Sequence, residues 1–80
     1  MNIWAKIQTL VDKKTVSELK SLEQLIRPLS NGANIHQLKN LLSRLIGYQE
    51  ILSDGGDVNK SYINNLKKDC LKFYKRNSKG

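Results

Sequence analysis

Apolar residues recur along this chain every three or four positions, the period of an α-helix, and short polar breaks separate the runs. The cleanest run covers 35–53, where Ile35, Leu38, Leu41, Leu42, Leu45, Ile46 and Leu52 fall on one continuous face with Gln49 among them. The other face carries His36, Lys39, Asn40, Ser43, Arg44, Gly47 and Glu50. A helix with two such faces buries one stripe and needs partner helices to cover it. Three further runs supply them. Ile3, Trp4, Ile7, Leu10 and Val11 share a face of a helix predicted over 3–12, with Asn2 as its cap and Trp4 as a core anchor. Val16, Leu19, Leu22, Leu25, Ile26 and Leu29 share a face of a second helix over 16–27. Tyr62, Ile63, Leu66, Cys70, Phe73 and Tyr74 share a face of a fourth over 58–75.

The breaks carry their own chemistry. Thr15-Val16-Ser17-Glu18 fits a capping box, in which Thr15 and Glu18 satisfy each other's amides and start the second helix. Pro28 lacks an amide hydrogen and disfavours helical geometry at Arg27, so regular helix should end there, with a looser turn to Leu29. Ser30-Asn31-Gly32-Ala33 is turn chemistry, and Asn34 with Gln37 repeats the capping pattern before the long helix. Gly55 suits the position after a helix end and Asp57 the next N-cap. Gly47 sits inside the long helix at a cost of up to about 1 kcal/mol relative to alanine, which points to a close neighbour or a bend. The expected fold is all-α: a compact bundle of four short helices with the long third helix at its centre, its neighbours antiparallel. Residues 1–76 form a single helical domain, and 77–80 a basic tail that should fray.

Length and charge sharpen this picture. Eighty residues make one domain with a thin core. The formal charge is +7, unevenly spread. Residues 1–57 hold seven basic and six acidic side chains, whereas 58–80 hold seven basic ones against Asp69 alone. Nearly all the excess therefore sits on the last helix and tail, which points to nucleic acid, an acidic protein or an anionic membrane surface as partner. No targeting segment is visible and no apolar run approaches the ~18 residues of a membrane span. The single cysteine, Cys70, cannot form an internal disulfide, consistent with a reducing, cytoplasmic setting.

Signals for an enzyme are nearly absent. His36 stands alone on a polar face, without a second histidine at helical spacing or clustered cysteines, so neither a metal nor another cofactor is expected. Cys70 falls on an apolar face as an inert buried thiol. Glu18 and Glu23 lie at opposite edges of one face, with no reason to differ in pKa, and no phosphate-binding loop occurs. No catalytic residue or small-molecule substrate is expected. The better candidate is the basic face of the last helix: Lys60, Lys67, Lys68, Lys72, Lys75 and Arg76. Such a row neutralises phosphates and releases their counterions. It offers few base-reading side chains beyond Asn64 and Asn65, so weak sequence preference is expected. A helix-turn-helix arrangement would instead direct His36, Gln37, Asn40 and Arg44 at base edges, but the connection from Pro28 to Asn34 is long for one. An amphipathic membrane-surface helix carrying Tyr62, Phe73 and Tyr74 competes with the core for the same apolar face.

The stretch from Asn34-Ile35-His36-Gln37-Leu38-Lys39-Asn40 through Tyr62-Ile63-Asn64-Asn65-Leu66-Lys67-Lys68, with the Lys/Asn/Ile-rich composition, resembles small accessory proteins of T-even phages, in particular the kind encoded beside the phage recombination helicase. The resemblance implies a helical accessory protein working near DNA repair and replication in the host cytoplasm, and it brings no catalytic residues. The expected function is a non-enzymatic basic accessory factor that binds nucleic-acid phosphate through the last helix, largely without sequence specificity. The alternative is a protein-interaction module docking on an acidic surface of a larger DNA-processing enzyme. A third reading is a weakly self-associating helical protein.

Overall fold

The first polar break in the pattern does not interrupt the helix. The computed structural model describes residues 3–78, with side chains from residue 13 onward. Among them are three α-helices, α1 (Ile3–Ile26), α2 (Ile35–Ser53) and α3 (Lys60–Asn77), with a 3-10 turn over Arg27–Leu29 and no strand. The expected four-helix bundle is thus corrected to a three-helix one, because the helices predicted over 3–12 and 16–27 are one. Its longest member is α1, of 24 residues, not the 19-residue α2.

The physical reason lies at Asp12-Lys13-Lys14-Thr15, which contains no glycine or proline to stop a helix. Thr15 stands four residues after Val11 and four before Leu19, so it occupies the position where the apolar stripe lapses in the sequence, and it is half-buried there. The Thr15–Glu18 capping box therefore does not form. The Glu18 carboxylate turns outward instead and pairs with Lys67 of α3. Ser21 Oγ donates to the carbonyl of Ser17 at 3.0 Å, the bond by which a hydroxyl is tolerated inside a helix. The cap at Asn2 and the side chains of Ile3, Trp4, Ile7, Leu10 and Val11 lie outside the described residues.

Pro28 ends α1, and the chain leaves through the 3-10 turn. Here the second expected cap is also corrected: the Asn34 side chain does not bond an amide of α2. The start of α3 is shifted as well. Asn59, not Asp57, caps it, its Oδ1 accepting from the amide of Ser61 at 2.8 Å, and α3 begins at Lys60 rather than Val58. Val58, just before the cap, packs against the core, where a staple residue belongs. The α2 C-terminus closes as a Schellman turn: the Gly55 amide bonds Leu52 O at 3.2 Å and the Gly56 amide bonds Ile51 O at 2.8 Å, with Gly55 at φ +88°.

All three helices contribute to one core: Leu19 and Ile26 from α1, Leu38, Leu41, Leu45 and Leu52 from α2, and Ile63, Leu66, Cys70 and Phe73 from α3. With two partners per helix rather than three, each covers a narrower arc, and the edges of the predicted stripes stay wet. Leu42 is only half-buried, while Ile46, Leu25, Tyr62 and Tyr74 are exposed, Tyr62 by 59%. Around Gly47 an added Cβ would meet open space and α2 runs through it unbroken, so no close neighbour accounts for that glycine. The Gly47 cost is therefore uncompensated in this fold.

Candidate nucleic-acid interface

Burial of Ile63, Leu66, Cys70 and Phe73 fixes the rotation of α3, and with it the direction of every basic side chain on the helix. The six expected site residues do not form one continuous row. Lys68 and Lys75 are exposed on the outer surface. Lys60, exposed at the first turn, lies in a small cleft with Thr15 and Asn64. Lys67 is half-buried and its ammonium pairs with Glu18, which also holds the Glu18 carboxyl below its ordinary range. Lys72 and Arg76 stand on the edge facing α2 and line a groove of about 600 Å³ between the two helices. Lys60, Lys68, Lys72, Lys75 and Arg76 have no carboxylate partner among the described residues.

The opposite wall of that groove is the first half of α2, with His36, Gln37, Asn40 and Arg44, and Leu41 and Phe73 lie at its base. Arg44 Nη1 donates to Asp69 Oδ2 at 3.3 Å across it. Because α2 and α3 run antiparallel, this ion pair sits toward one end and His36, Gln37, Lys72 and Arg76 toward the other. The second end is pinned by a polar cluster. Asn34, only 7% exposed, donates through Nδ2 to Asn77 Oδ1 at 2.7 Å and to Leu29 O at 2.9 Å, and its Oδ1 accepts from the Asn31 amide at 2.9 Å. Asn77 Nδ2 donates in turn to Phe73 O at 2.9 Å. Asn77, assigned to a fraying tail by the sequence, is therefore the last residue of α3 and part of a tie between helices. The remaining tail, 79–80, lies outside the described residues.

Elsewhere the electrostatics are structural. Glu23 is held below the ordinary carboxylate range by the Gln49 amide, which donates at 3.0 Å, and by Arg27 one turn on. Burial pushes the Cys70 thiol up to about 11, with Asp69 adding to the shift and Arg44 opposing it, so at neutral pH the thiolate is scarce. Among the described residues no three His, Cys, Asp or Glu side chains cluster as metal ligands, and no helix is long and apolar enough to cross a membrane.

Sequence reasoning missed the groove. Its α2 wall was visible only as the base-reading set of a helix-turn-helix, and Arg44–Asp69 was not foreseen. The signal was there: Asp69 is the lone acid of a basic helix. No family model matches this chain, and neither a curated protein nor a solved structure does, so the resemblance to T-even phage accessory proteins gains no support from them.

Proposed function

We propose that this protein is a non-enzymatic binding factor that engages nucleic-acid phosphate with the basic face of α3. The observation that carries it is the set of unpaired cations: five exposed basic side chains on one 18-residue helix whose rotation is fixed by its buried face, none of them in an ion pair among the described residues. Solvated lysines are common on helices, but a run in which no member forms an ion pair leaves its charge for an anionic partner, and the one acid of the helix, Asp69, is itself paired with Arg44. Lys67, neutralised by Glu18, takes no part. Since phosphate contacts carry no base information, binding through Lys68, Lys72, Lys75 and Arg76 is largely sequence-independent.

The test is a titration of labelled DNA, single-stranded and duplex, between about 50 and 200 mM salt. For four engaged phosphates, log K falls with log salt at a slope of about −3.6 on duplex and −2.8 on single strands. Absence of salt-sensitive binding would overturn the proposal. A second reading, docking on a protein partner, has one specific observation in its favour: an apolar groove of about 410 Å³ between α1 and α3, lined by Leu22, Leu25 and Leu71 beside the Glu18–Lys67 pair, which would take an apolar side chain while the α3 cations meet acidic residues around it. It becomes the better account if DNA and RNA both fail to bind.

A further inference from the structure

We infer that the groove between α2 and α3 is a site for one unpaired nucleic-acid strand, with Lys72 and Arg76 on its phosphates and Gln37 and Asn40 on its base edges. The inference rests on the nucleic-acid reading above and narrows it to a place and a strand form.

The groove has the right size and the right two walls. Its volume of about 600 Å³ falls among ligand clefts, which span about 300–1,000 Å³. One wall carries two cations without carboxylate partners, Lys72 and Arg76. The other carries two side-chain amides, Gln37 and Asn40, both exposed and neither hydrogen-bonded to another described residue. An amide offers a donor and an acceptor side by side, which is the pattern presented by the edge of a base. Asp69 repels phosphate, but Arg44 holds it at 3.3 Å toward the far end. The backbone of a bound strand is thereby directed to the Lys72–Arg76 end, and Asp69 is left to accept from a base amino group. Both walls are rigid helices, pinned to each other by Asn34 and Asn77.

Duplex does not fit the same arrangement. The four α2 side chains line a valley flanked by α3 and do not crown an isolated ridge. Packed helices lie about 8–10 Å apart and each is about 10–12 Å across, so the pair is about 20 Å wide. A major groove about 12 Å wide admits one helix and not two abreast. Base edges come within reach of Gln37 and Asn40 only on a strand whose bases are splayed out. His36, Gln37 and Asn40 are exposed as a helix-turn-helix arrangement also requires, and tighter binding of duplex than of strand in the titration below would favour that arrangement over the groove site.

Fluorescence anisotropy with a labelled mixed-sequence strand of about 12 nucleotides tests the inference, with the same strand annealed to its complement and an RNA copy as parallel probes. The strand is expected to bind the full chain at least about tenfold more tightly than the duplex at about 50 mM salt. The Gln37→Ala/Asn40→Ala variant is expected to lose at least about fivefold in strand affinity with an unchanged salt slope, because only base contacts go. Both positions are exposed and alanine favours helix, so its circular dichroism should match wild type. The Lys72→Gln/Arg76→Gln variant should lose affinity and flatten the slope by about 1.4. Comparison of the DNA and RNA strands identifies the preferred backbone. Salt-sensitive binding that is equal for strand and duplex, or unmoved by Gln37→Ala/Asn40→Ala, overturns the groove site and leaves the phosphate reading standing. No salt-sensitive binding to any probe removes both.

Discussion

Replacing Asn34 with alanine deletes the polar tie that joins the start of α2, the end of the 3-10 turn and the last residue of α3. Three hydrogen bonds go: those donated to Leu29 O and Asn77 Oδ1, and the one accepted from the Asn31 amide. At about 0.5–1.5 kcal/mol each, and with water returning to part of the cluster, the loss is about 2–3 kcal/mol. That is a large fraction of the stability of a chain this small. Urea unfolding followed by helical circular dichroism measures it. Asn34→Asp should be at least as harmful as alanine at neutral pH, since a carboxylate cannot donate to two oxygens that await a hydrogen. A double-mutant cycle with Asn77→Ala isolates the 2.7 Å bond and should show coupling of about 1 kcal/mol. An Asn34→Ala protein within about 0.5 kcal/mol of wild type, or strict additivity in the cycle, would refute the idea that this bond holds the helices together.

The other expectations test the fold from different sides. Lys14→Pro should cost about 3 kcal/mol or more, because residue 14 lies inside α1; near-wild-type stability in the same urea assay would mean that two helices meet there. Gly47→Ala should stabilise by up to about 1 kcal/mol, since the added methyl meets open space, and a lower melting temperature would show a neighbour or a bend at that point. Glu18 and Glu23 have depressed folded-state pKa values, so their contribution is present above the unfolded carboxylate range near pH ~4.3 and is lost as pH falls through the lower folded values. Both are partly solvent-exposed, which limits the effect to a few tenths of a kcal/mol each. A Glu18→Gln/Glu23→Gln protein should show a flatter loss of stability below about pH 5 than wild type, and identical profiles would contradict the assignment.

The periodicity of 35–53 located α2 to the residue, and Leu38, Leu41, Leu45 and Leu52 are buried as the wheel demands. Pro28 marked the end of α1 for a local reason, a missing amide, that no tertiary contact alters. Capping patterns were the weak signals. A Thr-x-x-Glu sequence reads the same at a helix start and inside a helix, and only the distant Lys67 decides that Glu18 turns outward. Asn34 was likewise claimed by Asn77, 43 residues away, and Asp57 lost its cap to Asn59. The number of helices then set how much of each stripe was covered, so Ile46 and Tyr62 ended at the surface. The candidate site was half legible. Charge asymmetry marked α3, but the groove depends on the packing of α2 against it, and no local pattern encodes that Lys72 and Arg76 face Gln37 and Asn40.

Salt slopes for two charge-matched triple variants on one DNA probe separate a phosphate site on α3 from the attraction of net charge alone. Lys68→Gln, Lys72→Gln and Lys75→Gln together remove three cations from α3, all exposed and none paired with a carboxylate among the described residues. Lys13→Gln, Lys14→Gln and Lys20→Gln remove the same charge from exposed positions on α1. If α3 meets phosphate, the α3 variant flattens the slope by about 2 on single strands or about 3 on duplex, while the α1 variant stays within about half a unit of wild type. Equal loss from the two variants would show that net charge alone attracts DNA and that α3 holds no site.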